Sequence, residues 1–332
     1  MLVAAGLLAG LALLEAAIRV RLLFRPAGPP EPIVLDDRLG WKAAPGWIFR
    51  GDRRDASGRA YPVSIRVDEA GCRAGPAPAG ARAAKVLFVG DSFTQALDVS
   101  DEQAYWARIA ALRNVEVRAC GVGGYGTLQE LLVLGDALDR FDPAAVVLQF
   151  SANDFVNNSY ALESRSRINN NGMTRPYLLD DGRIVRRLPR ALALPRELAN
   201  RNVRSLYFIL SRFDRLTART EPSIETDIVR DGAGHPLFAE AAGVTGALLR
   251  RFHERVGGNR RLFAFCVDET PPFAGEFSRL AAANGFTVVP GVAEAVRAVE
   301  AAGIATRAED HAHWNDEGHR IVGEILSRTI PD

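Results

Sequence analysis

Lysine is almost missing from this chain of 332 residues: Lys42 and Lys85 are the only two among 41 basic side chains, the rest being arginine. A preference spread over the whole chain reads as coding bias, not function. Charge of one sign is missing as well, since 41 basic residues face 40 acidic ones. The resulting net charge of +1 creates no global field for nucleic acid or an acidic surface, so no nucleic-acid partner is expected. Cysteine is scarce. Cys72, Cys120 and Cys266 stand far apart, with no CxxC pair and no dense disulfide framework, and leave the redox compartment open. Cys120 and Cys266 lie in apolar strand-like runs and read as small core residues. A basic region ahead of the first apolar run, the mark of a cleaved signal peptide, is also lacking.

That first run, "LVAAGLLAGLALLEAAI" over residues 2–18, is interrupted only by Glu15 and is followed by Arg19, Arg21 and Arg25. A segment apolar all round is not a soluble amphipathic helix. It sits at the short end of the ~20 residues that span a bilayer, and arginine side chains can snorkel to extend it. The expectation is a membrane anchor over residues 1–25, with the membrane as a partner. Arginines after the segment would place the body in the cytoplasm by the positive-inside rule. A start codon assigned too late would have removed basic residues ahead of Met1, and the side we expect is the periplasm.

Residues 26–35, "PAGPPEPIVL", form a Pro-rich, semi-rigid connector. Up to residue 83, turn clusters such as "GDRRDASGR" alternate with short runs such as "YPVSIRV", a small β-rich lead-in without a core of its own. From Lys85 the pattern turns to strands alternating with helices. Strand-like runs cover 85–90, 115–120, 144–150, 261–267 and 286–290; helical patterns include 102–113, 127–141, 237–256, 274–284 and 316–328. Such alternation implies a parallel sheet with helices on both faces. Residues 155–230 break the rhythm and read as a long insertion after the third strand, its arginines a solvated face and its 203–213 stretch apolar-periodic.

Four polar clusters fall at or beyond strand ends, where open α/β sheets bind ligands. They are "GDSFTQ" at 90–95, "CGVGGYGT" at 120–127, "SAND" at 151–154 and "EDHAHWNDEGH" at 309–319. Acyl chemistry needs a hydroxyl, a base, an acid to orient the base, and donors for the oxyanion. Ser92 supplies the hydroxyl. Asp310 and His313, three residues apart, can meet within one turn. Gly124 can present a bare N–H and Asn153 an amide. His313 is preferred to His311 by its spacing from Asp310, and His319 reads as a brace for the last helix. Asp91 reads as structural. Tyr125 and Trp314 either line the pocket or pack.

In order, "GDSFTQ", the Gly124 turn, "SAND" and the Asp310–His313 pair resemble the sequence blocks of SGNH (GDSL-type) hydrolases, over roughly residues 84–328. The resemblance implies Ser92 as nucleophile, an oxyanion hole of the Ser92 and Gly124 N–H groups with Asn153, and Asp310 and His313 as acid and base. The Asn that often opens the second block is Ala119 here. The lead-in, with "LGW" and "IRVDEAGCR", is similar to that of membrane-tethered bacterial members. The combined expectation is a three-layer α/β/α sandwich on a flavodoxin-like, parallel five-stranded sheet, its hydrolase domain covering 84–332. It would be a serine esterase acting on acyl, above all acetyl, groups of cell-envelope carbohydrate, with no cofactor and no metal. An O-acyltransferase with the same site and a non-catalytic glycan-binding module are the alternatives.

Two other motifs compete. "GVGGYG" at 121–126 fits the dinucleotide fingerprint G-x-G-x-x-G, but the acid expected about 20 positions on is Val146. Asp310, His311, His313 and His319, with Asp91 or Asp154 recruited, could form a metal site.

Overall fold

Alternate side chains of the central strands leave for opposite faces, and this divides the core in two. Leu87 and Val89 join one apolar cluster with Leu134, Leu249, Phe252 and Phe277. Val86 and Phe88 join the other with Trp106, Ile109, Val322 and Leu326. In a computed structural model, the chain is described over residues 2–24, 31–79, 83–190 and 223–330, with 203, 205, 206, 209 and 212 between them. Part of the Pro-rich connector and most of the apolar-periodic 203–213 stretch lie outside the described residues.

The lead-in carries β1 (Ile33–Asp36), β2 (Gly40–Ala43), β3 (Ile48–Arg54), β4 (Ala60–Arg66) and β5 (Arg73–Ala74). The main strands are β6 (Lys85–Gly90), β7 (Glu116–Gly121), β8 (Ala145–Phe150), β11 (Arg261–Cys266) and β12 (Thr287–Val288). Between β8 and β11 a hairpin of β9 (Arg175–Leu178) and β10 (Ile184–Arg187) rises from the insertion. The central sheet has six strands in the order β12-β11-β8-β6-β7-β5. Its five main strands are parallel in the flavodoxin-like order, but β5 joins antiparallel to β7, so the sheet is mixed rather than the expected parallel sheet of five. All six residues of β8 are buried, as a central strand covered on both faces requires.

Two further expectations need correction. Leu2–Leu23 is a helix of 22 residues, yet among the described residues no helix is long and apolar enough to cross a membrane. The anchor over residues 1–25 is therefore not supported. Glu15, the charge that breaks the apolar run, pairs with Arg19 at 2.7 Å and accepts a hydrogen bond from the Ser205 N–H at 2.7 Å. Nor is Cys120 a free core residue, because it is disulfide-bonded to Cys72. The bond joins the lead-in to β7. Trp41, Trp47, Tyr61, Val63 and Ile65 form a third cluster that closes over Val122 and Tyr125, the turn after β7. The lead-in thus has a core, and shares it with a loop at the sheet's carboxyl edge.

Candidate active site

The strand–turn–helix at Ser92 is built by its neighbours. Ser92 opens a single helical turn, Ser92–Gln95, directly after β6. Buried Asp91 caps it, accepting from the Phe93 N–H at 2.9 Å through one oxygen and from the Ser151 hydroxyl at 2.6 Å through the other. Gln149 Oε1 accepts from the N–H groups of Asp91 and Thr94 at 3.1 and 3.2 Å. This close approach needs glycine at 90, where a Cβ would lie 2.4 Å from Gln149 Oε1. Asp91 is spent on shaping the loop.

From the turn before the last helix, His313 crosses to meet it. His313 Nε2 lies 2.7 Å from Ser92 Oγ, and His313 Nδ1 is hydrogen-bonded to Asp310 Oδ2. The other Asp310 oxygen accepts from the Ala312 and His313 N–H groups at 2.9 and 3.0 Å. Burial pushes the Asp310 carboxyl up, but hydrogen bonds from the His313 ring and these two N–H groups outweigh it and hold it below the usual carboxylate range. With Nδ1–H directed at an ionised Asp310, Nε2 is left with its lone pair facing the Ser92 hydroxyl. The Phe93 ring packs on the imidazole, centroids 5.1 Å apart.

Beside Ser92 runs the glycine turn. Gly123 donates to Gln95 Oε1 at 2.8 Å, and a Cβ at Gly123 would lie 3.8 Å from the Ser92 Cβ. Gly124 has φ +74°, a conformation that favours glycine. The N–H groups of Ser92 and Gly124 donate to no acceptor among the described residues. The Asn153 amide nitrogen is shared between Tyr125 O and Asn157 Oδ1, each at 3.2 Å. Asn153 also lines a cavity of about 600 Å³ with Phe93, Asn169, Asp268, Arg297 and His311. A hydroxyl, a base, an oriented acid and free donors therefore meet at one edge of the sheet.

No protein-family model matches the chain, and no curated protein does. Solved structures similar to it include proteins described as lipolytic enzymes and esterases. One is described as a lipolytic protein of the G-D-S-L family from Desulfitobacterium hafniense, with 11% identity, 74% of this chain and 99% of that chain covered, and a TM-score of 0.39. A lipase/acylhydrolase from Enterococcus faecalis has 14% identity, 74% and 95% coverage and a TM-score of 0.39. The acetyl xylan esterase AlAXEase has 14% identity, 74% and 99% coverage and a TM-score of 0.39.

Of the competing metal set, Asp310 and His313 come together, whereas His319 and Asp154 are spent elsewhere. His319 is buried in the packing of the last helix, where its Nδ1 accepts from the Tyr105 N–H at 3.2 Å and its ring stacks on Tyr105. Burial, then the charges of Arg73, Arg108 and His313, push its pKa well below the ordinary histidine value. Asp154 is consumed by the Ser151 N–H and the Thr127 hydroxyl, both at 2.9 Å. Burial, then the Asp91 charge, push its carboxyl well up. Exposed His311 sits at φ +59° in the turn and lines the cavity, while His313 is the ring bonded to Ser92. Tyr125 and Trp314 are packed.

Three residues near the site escaped sequence reasoning. Asp98, in the loop after Ser92, brings a carboxylate within 4.8 Å of His313 and Asp310. Burial raises its pKa; the nearby His313 opposes the rise and Asp310 adds to it. Arg175 and Glu163, in the insertion read as solvated, are both fully buried and paired at 3.1 Å. No local signal marks them, since burial of a charged pair is settled only by what packs around it. Burial pushes Glu163 up from 4.5 to about 7, against the pull of Arg175. The unfolded chain releases this proton near 4.5 and the folded chain near 7, so the folded state binds more protons in between. The Glu163 contribution to stability is then full below about pH 4.5 and lost as pH rises through about 7. Glu163→Gln removes that dependence. Urea melts at pH 5 and pH 8 should show the wild type losing about 2–3 kcal/mol relative to Glu163→Gln over this window. Equal differences at the two pH values would contradict the shift.

Proposed function

We propose that this chain is a serine ester hydrolase of the SGNH (GDSL) type that removes small acyl groups from a polar, hydroxyl-rich alcohol such as a cell-envelope glycan. The observation that carries the reading is the hydrogen-bonded run Ser92 Oγ, His313 Nε2, His313 Nδ1, Asp310 Oδ2. Ser92 Oγ attacks the ester carbonyl while His313 Nε2 takes its proton, and the imidazolium formed is stabilised by Asp310. The carbonyl oxygen gains charge as the tetrahedral intermediate forms, and the free N–H groups of Ser92 and Gly124, with the Asn153 amide, are the donors available to it. The intermediate collapses, the C–O bond to the alcohol breaks, and His313 returns the proton to the departing oxygen. Water, deprotonated by the same nitrogen, then releases the acyl group from Ser92.

The polar lining of the adjoining cavity, with Asn153, Asn169, Asp268 and His311, suits hydroxyl groups better than a long acyl chain. The Cys72–Cys120 disulfide supports a body that works outside the cytoplasm, where such bonds persist. A fluorophosphonate probe tests the chemistry, and a membrane-impermeant version in intact cells tests the side. Labelling should require Ser92, survive a chelator and occur without lysis. Labelling of Ser92→Ala equal to wild type, or its abolition by chelator alone, would sink the serine mechanism. Labelling seen only after lysis would sink the placement.

A further inference from the structure

The insertion and the lead-in, distant in sequence, both grip the glycine turn beside Ser92. Trp41 Nε1 donates to Gly123 O at 3.0 Å. That carbonyl shares its peptide plane with the Gly124 N–H and points opposite to it, so a bond to one aims and polarises the other. The Arg175 guanidinium donates to the next carbonyl, Gly124 O, at 2.8 Å and lies over the Trp41 ring, 4.8 Å from its centroid. Glu163 holds Arg175 from behind, itself bonded by the Tyr177 hydroxyl at 2.8 Å. The two segments touch closely: a Cβ at Gly40 would lie 2.1 Å from Thr174 O. Trp41, Arg175 and Glu163 are all fully buried.

We propose that Trp41 and Arg175 are positioning residues for the reaction, a buried brace that fixes the two peptides of Gly124 so that its N–H faces the developing oxyanion. The inference rests on the hydrolase reading above. A fully buried arginine gripping a turn by a backbone carbonyl is a costly device for mere packing, because its charge must leave water. Gly124 cannot aim itself, since a residue without Cβ at positive φ has the freest backbone of any. The insertion therefore completes the site, and the lead-in is part of the enzyme rather than a spacer.

Trp41→Phe removes the indole N–H and keeps the aromatic ring under Arg175; Arg175→Met removes both the donor and the charge. Turnover is measured per active site, with sites counted by fluorophosphonate titration run to completion, so misfolded molecules drop out. Trp41→Phe should lower kcat per titrated site about 5- to 30-fold with KM within two-fold, and Arg175→Met roughly 10- to 100-fold, since the donor is misaimed rather than removed. If Arg175→Met does not fold, Trp41→Phe decides alone. A Trp41→Phe enzyme with kcat per site within two-fold of wild type, whatever its melting temperature, overturns the brace. The parent reading fails separately: turnover surviving in Ser92→Ala would end it whatever the Trp41 result.

Discussion

His313→Ala should lower kcat by about 10⁶-fold, and Ser92→Ala by the same amount, with the double variant no worse than either alone. Nucleophile and base act as one unit, so removing either leaves only binding and the oxyanion donors. The geometry assigns the loss to one ring. His313 Nε2 is 2.7 Å from Ser92 Oγ while its Nδ1 is held by Asp310, and only one imidazole fits between them. His311→Ala is the internal control. That residue faces the cavity, so its loss should leave kcat within a few-fold and act mainly on KM. Equal and total losses in both variants, with activity restored to the chelated parent by added zinc or manganese, would point to metal chemistry instead.

Asn153→Ala should cost about 10²–10³ in kcat, or ~3–4 kcal/mol, with little change in KM. Its amide nitrogen is shared between Tyr125 O and Asn157 Oδ1 at 3.2 Å each, and an oxyanion offers a stronger acceptor than either neutral oxygen. The interaction then strengthens as charge develops, which is why the effect falls on kcat. Asn153→Asp should be worse than Ala, because a carboxylate repels the oxyanion. An Asn that serves only the Ser151–Asn157 turn would instead lower the melting temperature and leave turnover per folded molecule near normal. Measuring kcat and thermal stability on one preparation of Asn153→Ala separates the two, and an unchanged kcat would take Asn153 out of the site.

Much of the architecture is written in local patterns. Apolar runs such as "KVLFVG" became β6 because a strand covered on both faces is apolar throughout, and the helix read over 127–141 is Thr127–Phe141 because a helix buried on one face repeats its apolar side chains every three or four residues. The two-residue β5, the antiparallel partner that makes the sheet mixed, was not legible, since so short an edge strand has no period to read.

What the sequence determined by itself is what neighbours along the chain can settle. It put Ser92 at the end of a buried strand. It set Asp310 three residues before His313, where one carboxylate can bind the ring and two N–H groups of the same turn. What only the tertiary structure decided is every meeting between distant segments. Ser92 and His313, 221 residues apart, touch because the turn before the last helix returns to the sheet edge where β6 ends. Cys72 finds Cys120, Asp98 faces His313, and Arg175 is buried against Trp41 and Gly124. Periodicity says which face of an element is buried but not against what, and a buried charge carries the same letter as a solvated one.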